Sequence, residues 1–356
     1  MSFLDIAHHR LLSQRIAQTT FEEASQVVSW FGAVQAQDYL GALWAVGLRM
    51  SKATEADVEQ AVADRTIVRT WPLRGTIHFV AAEDVRWMLQ LAAPHAVARS
   101  ARRLRELDLD DATFGRAERL LVDALQGGKR LSRSAMYAVL ETAGISTAGQ
   151  RGIHILWRLA QDGVICYAAR EGKQQTFALL EEWAPKAKTL EHDKALAELA
   201  RRYFASHGPA TLQDFAWWSG LTASEARVGL EMIKPELARA VIDGRTYWLS
   251  SPVAGAGDAS HTAHLLPPYD EYTVAYKDRS AVLDSPHALR AGYGGVLNPT
   301  VVVDGKVVGT WKRALKKNAV VVTPSYFAKI GEAQAHAVAV AAERYGRFLN
   351  MPVALQ

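Results

Sequence analysis

The chain has 356 residues, 49% of them apolar and 22% charged, with a formal net charge of +4 at pH 7. That composition suits a globular protein with about two to four cores, and it admits a polyanionic partner without demanding one. Cys166 is the one cysteine, so a disulfide framework and a cysteine-rich metal site are excluded, and no apolar run approaches the roughly 20 residues of a membrane span.

A lone cysteine fits a reducing compartment, and the opening "MSFLDIAHHRLLSQ" lacks the basic-then-apolar order of a secretory signal. The expectation is a cytoplasmic protein with no membrane partner. The histidines show no HxH or HExxH spacing, and no Gly-rich phosphate loop is present, so neither a metal nor a cofactor is expected.

In chain order, Ile6, Leu11, Leu12 and Ile16 suit a first amphipathic helix. Val27, Val28, Trp30 and Phe31 suit a second, with Gly32 as its C-cap, and Leu40 to Leu48 reads as a third. The stretch "RTIVRTWPLRGTIHFV" at 65–80 then changes period to strand formers broken by Pro72 and Gly75. Helices followed by a β-hairpin is the winged-helix order.

The order recurs. Helices at Arg116 to Leu125, Ser132 to Thr142 and Gln150 to Gln161 precede the strand pair in "GVICYAAREGKQQTFALL". A third round runs through "DKALAELARRYFASHG", "TLQDFAWWSG" capped by Thr211, and "TASEARVGLEMI", opened by a Thr222–Glu225 capping box. Its hairpin turns at Asp243-Gly244. Three such units in register, at a spacing of roughly 70 to 100 residues, carry more weight than any one. The small residues of 252–260 read as a linker. Beyond it, strands dominate, with a hairpin turn at Asp304-Gly305, until a last amphipathic helix from Ile330 to Leu349. The expected fold is α+β, mainly helical: three tandem winged-helix units (1–110 with an Arg-rich connecting helix, 111–185, 186–252), then a C-terminal β-barrel with a terminal helix (261–356).

The stretches "VQAQDY", "RTWPLRGTIHFV", "LLPPYDEYTVAYKDR" and "VVVDGKVVGTWKR" resemble the AlkZ/YcaQ-like winged-helix DNA glycosylases, and the similarity spans nearly the whole chain. The resemblance implies three winged helices plus a barrel around a concave DNA-binding surface. It implies excision of N-alkylated purines from double-stranded alkylated DNA, in some members including interstrand-crosslinked nucleosides. Gln35-Ala36-Gln37 looks like the Gln-apolar-Gln catalytic motif of the AlkZ branch, which makes Gln35 and Gln37 the implied catalytic pair. Asp270, Glu271 and Arg279 match family positions, and Asp270 with Arg279 is expected to pair and fix the barrel against the first unit.

Residues two apart on a helix point about 200° away from each other, so a shared water requires 34–39 to leave helical geometry after Gly32. N7- and N3-alkylpurines are cationic and leave readily. The site then needs only to place a water and tolerate positive charge, which an amide can do. On residue types alone the same amides also fit a helix end or a solvated turn. Asp38 is a candidate for electrostatic support of the sugar cation. If 74–79 alternates as a strand, Arg74, Thr76 and His78 share a face, and His78 reads as a proton shuttle or a phosphate contact.

Phosphate contacts are expected from Arg151, His154 and Arg158 on one helix face, with Arg170 and Lys173 on the following hairpin. Lys312, Arg313, Lys316 and Lys317 form a second cluster, and Arg99, Arg102, Arg103 and Arg105 a third. Each also fits a solvated face; only grouping around one concavity would make a footprint. Arg290 and Tyr293 lie in a Gly-rich stretch that reads as a minor-groove loop or a plain surface loop. No lysine sits in a catalytic motif, so a monofunctional glycosylase is expected; the expected state is a monomer. The alternative is a non-enzymatic winged-helix transcriptional regulator, which would release no base.

Overall fold

The computed structural model describes residues 3–250, 261–292 and 297–356; the expected linker at 252–260 and Tyr293 lie outside the described residues. The first region runs α1 (Phe3–Ser13), α2 (Ala24–Phe31), β1 (Ala33–Gln35), α3 (Tyr39–Gly47), α4 (Glu55–Ala63), β2 (Ile67–Leu73), β3 (Thr76–Ala81) and α5 (Val85–Glu106). The second runs α6 (Asp111–Leu125), β4 (Leu131–Ser132), α7 (Arg133–Thr142), α8 (Arg151–Gln161), β5 (Ile165–Glu171), β6 (Gln174–Leu179) and α9 (Leu180–Trp183). The third holds α10 (His192–His207), α11 (Leu212–Ser219), α12 (Ala223–Ile233), β7 (Ala238–Ile242) and β8 (Arg245–Leu249). Last come β9 (Ala263–Leu266), α13 (Glu271–Val274), β10 (Thr300–Val303), β11 (Lys306–Leu315), β12 (Val320–Tyr326), α14 (Glu332–Phe348) and β13 (Val353–Leu355).

Local chemistry sets many of these boundaries. Thr211 and Thr222 each open a helix through a reciprocal capping box, with Asp214 and Glu225 respectively. Asp110 caps α6 by accepting from the Thr113 backbone N–H at 2.8 Å, so that helix starts earlier than the apolar pattern suggests. The hairpin turns at Asp243-Gly244 and Asp304-Gly305 have positive φ at both residues, as a two-residue turn between twisted strands requires.

Two hairpins that the sequence pattern separates share one sheet. Its order is β1-β3-β2-β5-β6-β4, while β7-β8 stands as a two-stranded sheet. Arg69 and Tyr167 form the β2–β5 junction, and Trp71 stacks on Tyr167 at 4.9 Å. A lone hairpin is marginal in water, so each gains by burying its edge and aromatic face against the other.

The final sheet has the order β13-β12-β11-β10-β9 and forms a half-barrel with β9 and β13 at its edges, rather than a closed barrel. Its last element is also a strand. β13 follows α14 and pairs parallel to β12, Val320 opposite Val353. The half-barrel packs on the first region: Trp44 of α3 meets Tyr345 at 5.1 Å and Phe348 at 5.0 Å, and its indole N–H donates to Leu265 O at 2.7 Å.

Candidate functional site

Helix α2 ends at Gly32, whose φ of 78° lies in the left-handed region. That residue turns the chain into β1, which pairs antiparallel with β3 and sets Gln35 opposite His78. The Ala36 backbone N–H donates to Ile77 O at 2.7 Å, so the extended course continues past β1. This is the departure from helical geometry that the two-residue spacing of the glutamines demands.

Gln35 Oε1 accepts from Arg74 Nη2 at 3.1 Å, and Gln37 Oε1 accepts from the Ile77 backbone N–H at 3.3 Å. Both amide oxygens therefore land on the β2–β3 hairpin. Gln35 is 7% exposed, whereas Gln37 is open to solvent. Arg69 crosses under the segment between them, donating to Ala36 O through Nη2 at 2.9 Å and Nε at 3.2 Å. The sequence reading assigned Arg69 no role. An amide keeps two donors and a second lone pair beyond one accepted bond, so each glutamine retains capacity for water.

Asp38 is exposed and caps α3, accepting from the Gly41 backbone N–H at 2.6 Å. Tyr39 follows with its ring near Arg170 (4.6 Å) and Arg69 (5.2 Å). Burial and the nearby Glu59 carboxylate push its phenol up to about 12, so it stays protonated.

Arg74 departs from the expected strand alternation. It lies in the hairpin turn with φ 55°, because β3 begins only at Thr76. Its guanidinium still folds back to the site, donating to Trp218 O as well as to Gln35. His78 is fully buried, which removes the phosphate contact from its two expected roles. Its Nδ1–H donates to Thr76 O at 2.9 Å, and Nε2 has no hydrogen-bond partner among the described residues. Burial first, then the charge of Arg74, push its pKa down to about 4, so the ring is neutral.

Glu271 lies directly behind Gln35. Its Oε1 accepts from the Gln35 backbone N–H at 2.8 Å. Its Oε2 accepts from Trp218 Nε1–H at 2.9 Å and His207 Nε2–H at 3.3 Å. Burial opposes its ionisation, but the His207 contact and the Gln35 N–H outweigh it and hold the carboxyl below the usual range. Sequence reasoning matched Glu271 to the family without a role and missed Trp218 and His207. Two acids before an apolar run read locally as an exposed helix start, so no local signal marks this one as buried. Its neighbour Asp270 pairs with Arg49, through two contacts of 2.8 Å, in place of the expected Arg279. Arg279 Nε donates to Thr273 O at 2.7 Å.

The expected phosphate contacts divide. Arg151 is committed to backbone carbonyls, Leu107 O, Asp108 O at 3.0 Å and Ser146 O at 3.1 Å, so it staples α8 to the end of α5. Arg158 bonds Asp162 at 2.8 Å and lies over the Phe114 ring, and His154 Nδ1–H donates to Gln150 O at 2.9 Å. That helix face is knitted into its own surroundings. Arg290 donates to Phe327 O at 3.1 Å and Tyr326 O at 3.2 Å, and Arg313 donates to the Tyr345 hydroxyl. Arg99 reaches Gly220 O at 3.0 Å, while Arg102 and Arg103 pair with Glu106. Lys173, Lys312, Lys316 and Lys317 are exposed.

A cavity of about 970 Å³ lies at the other end of the β2–β3 hairpin, beside Ala81 and Ala82, and its lining includes Trp30 and Trp183 but neither glutamine. Among the described residues, no group of three His, Cys, Asp or Glu is placed to hold a metal, and no helix is long and apolar enough to cross a membrane.

The two amides thus sit on an extended segment, with Arg74 bonded to Gln35 and Arg69 to the carbonyl between them. Residues 28–348 match the model of the family described as "DNA glycosylase AlkZ-like", and the chain belongs to that family. It is a DNA glycosylase, an enzyme that hydrolyses N-glycosyl bonds. Among curated proteins it is similar to an interstrand DNA cross-link repair glycosylase of Streptomyces sahachiroi, 28% identical over 333 residues and covering 88% of each chain. Among solved structures it shares the fold of the Streptomyces sahachiroi DNA glycosylase AlkZ, with a TM-score of 0.82, 24% identity and full coverage of both chains. Family membership sets aside the transcriptional-regulator alternative.

Proposed function

We propose that this enzyme hydrolyses the N-glycosidic bond of N-alkylated, cationic purines in double-stranded DNA, with Gln35 and Gln37 positioning the attacking water. The observation that carries the reading is the convergence of both amide oxygens on one hairpin, with Gln37 open to solvent. A cationic purine departs without strong acid assistance, so a site of neutral amides can act on it and leave undamaged bases alone. Neutral His78 adds no competing positive charge beside the sugar. Crosslinked nucleosides fall within the proposed substrates, in line with the printed name of the Streptomyces sahachiroi relative.

The helix-then-hairpin order in 1–110, 111–185 and 186–252 supports three winged-helix units, with the half-barrel of 261–356 completing the groove. In this reading the enzyme acts as a cytoplasmic monomer, and exposed Lys173 and Lys312 meet the phosphates. The test is single-turnover excision from duplexes carrying N7-methylguanine or a crosslink, for wild type and Gln37→Ala. The variant should lose rate by about 100- to 1,000-fold while binding the duplex within about threefold of wild type. A variant that excises as fast as wild type removes the glutamine pair from the mechanism.

A further inference from the structure

Glu271 has no exposed surface, and its two oxygens gather N–H donors from three separate elements: β1 through Gln35, α11 through Trp218 and α10 through His207. A carboxylate so placed is costly to desolvate, and its donor set is what keeps it ionised. Two observations tie it to the site as well as to packing. The first is that it holds the backbone of Gln35 itself, whose side chain accepts from Arg74. The second is the charge around it. Arg74 lies within electrostatic reach of Glu271, and Arg99 and Arg279 add to the positive field at Arg74. Arg69 stands on the other side of the segment at Ala36. A purine leaving as a cation, and a sugar becoming one, are disfavoured among arginines unless a nearby anion offsets them. In a water-poor interior that anion acts over a longer range than a solvated one.

Resting on the reading of Gln35 and Gln37 as the water-holding pair, we infer that Glu271 is a positioning residue for glycosidic-bond hydrolysis. It seats β1 so that both amides face the hairpin, and its charge offsets Arg74 where the cationic sugar develops. It meets neither DNA nor water and takes no proton in the reaction.

The test compares Glu271→Gln with Glu271→Asp by single-turnover release of N7-methylguanine, with duplex affinity and thermal unfolding measured in parallel. Gln keeps the shape and can still accept from Gln35, but carries no charge. Asp keeps the charge and loses reach. Glu271→Gln should slow excision about 100-fold with affinity within about threefold, and Glu271→Asp should excise faster than Glu271→Gln. A purely structural role predicts the reverse order, because Asp cannot span three donors. That order, or a folded Glu271→Gln variant within threefold of the wild-type rate, overturns the inference. If Glu271→Gln does not fold, Trp218→Phe removes one donor and keeps an aromatic ring, though a smaller one. It should lose about fivefold in rate at unchanged affinity, and no loss overturns the inference. Gln37→Ala is run alongside. If that variant keeps the wild-type rate, the reading of the glutamine pair itself fails. If it is slow while Glu271→Gln is fast, the role of Glu271 alone fails.

Discussion

Gln35 and Gln37 are separated by one residue, and the local fold gives them different surroundings. Gln35 is held from behind by Glu271 and from the side by Arg74, while Gln37 has one backbone contact and open solvent. The first can aim and the second can exchange water. His78, opposite Gln35, makes a prediction about pH. Its folded pKa of about 4 lies below the ordinary 6.5, so the unfolded chain takes up a proton that the native state refuses. The stability this burial contributes is present above pH 6.5 and drains away as pH falls from there to about 4, by ~3 kcal/mol for this group. Melting temperatures across that window should fall less steeply in His78→Gln than in wild type; equal slopes would mean His78 titrates normally. At this scale a short motif and its local geometry are legible in the sequence, as in the extended course of Gln35-Ala36-Gln37 after Gly32. Glu271 was not legible because its partner at Gln35 is 236 positions away. For Arg151 and Arg158, basic spacing on a helix shows a face, but not the carbonyls and acids that occupy it.

Elements show the same division. Turns and caps depend on neighbours in sequence, so the Asp-Gly turns and the Thr222 capping box were readable. The union of β2 with β5 was not, because it rests on one distant residue pair and on the Trp71–Tyr167 stack. The end of the half-barrel was hidden too. "VAL" at 353–355 is too short to signal a strand until β12 presents its edge. The α3–α14 contact yields a testable case. A Cβ on Gly47 would lie 2.3 Å from Phe348 Cε2, and Phe348 is 2% exposed, so the ring has little room to yield. Gly47→Ala should therefore destabilise the protein by about 1–3 kcal/mol, despite alanine's higher helix propensity, seen as a lowered denaturant midpoint at unchanged slope. A midpoint at or above wild type would show that α14 shifts freely.

For the whole molecule, charge is the property that meets DNA. A net +4 is modest, so binding must draw on where the cations stand more than on their number. Most arginines of the expected clusters are occupied by carbonyls or acids, whereas Lys173, in the β5–β6 turn, and Lys312, on β11, are exposed. If both touch phosphate, the double substitution Lys173→Ala/Lys312→Ala should reduce the slope of log affinity against log salt by about 2, without selecting between damaged and undamaged duplexes. An unchanged slope would place the DNA elsewhere on the surface.

Asp270 and Glu271 are consecutive, and each reaches back to a different part of the first region, one to Arg49 and the other to Gln35. The last quarter of the chain thus supplies the counter-ion for one buried cation and the acceptor for the backbone of the strand that carries Gln35. Cut away the portion from 261 onward and Arg49 loses its carboxylate partner, keeping only the neutral acceptors Gln14 O, Gln14 Oε1 and Ala45 O. A shortened version ending before the half-barrel would leave the Gln35 backbone N–H without its acceptor and Arg49 without its counter-ion, so the amide segment and the half-barrel are parts of one structural unit.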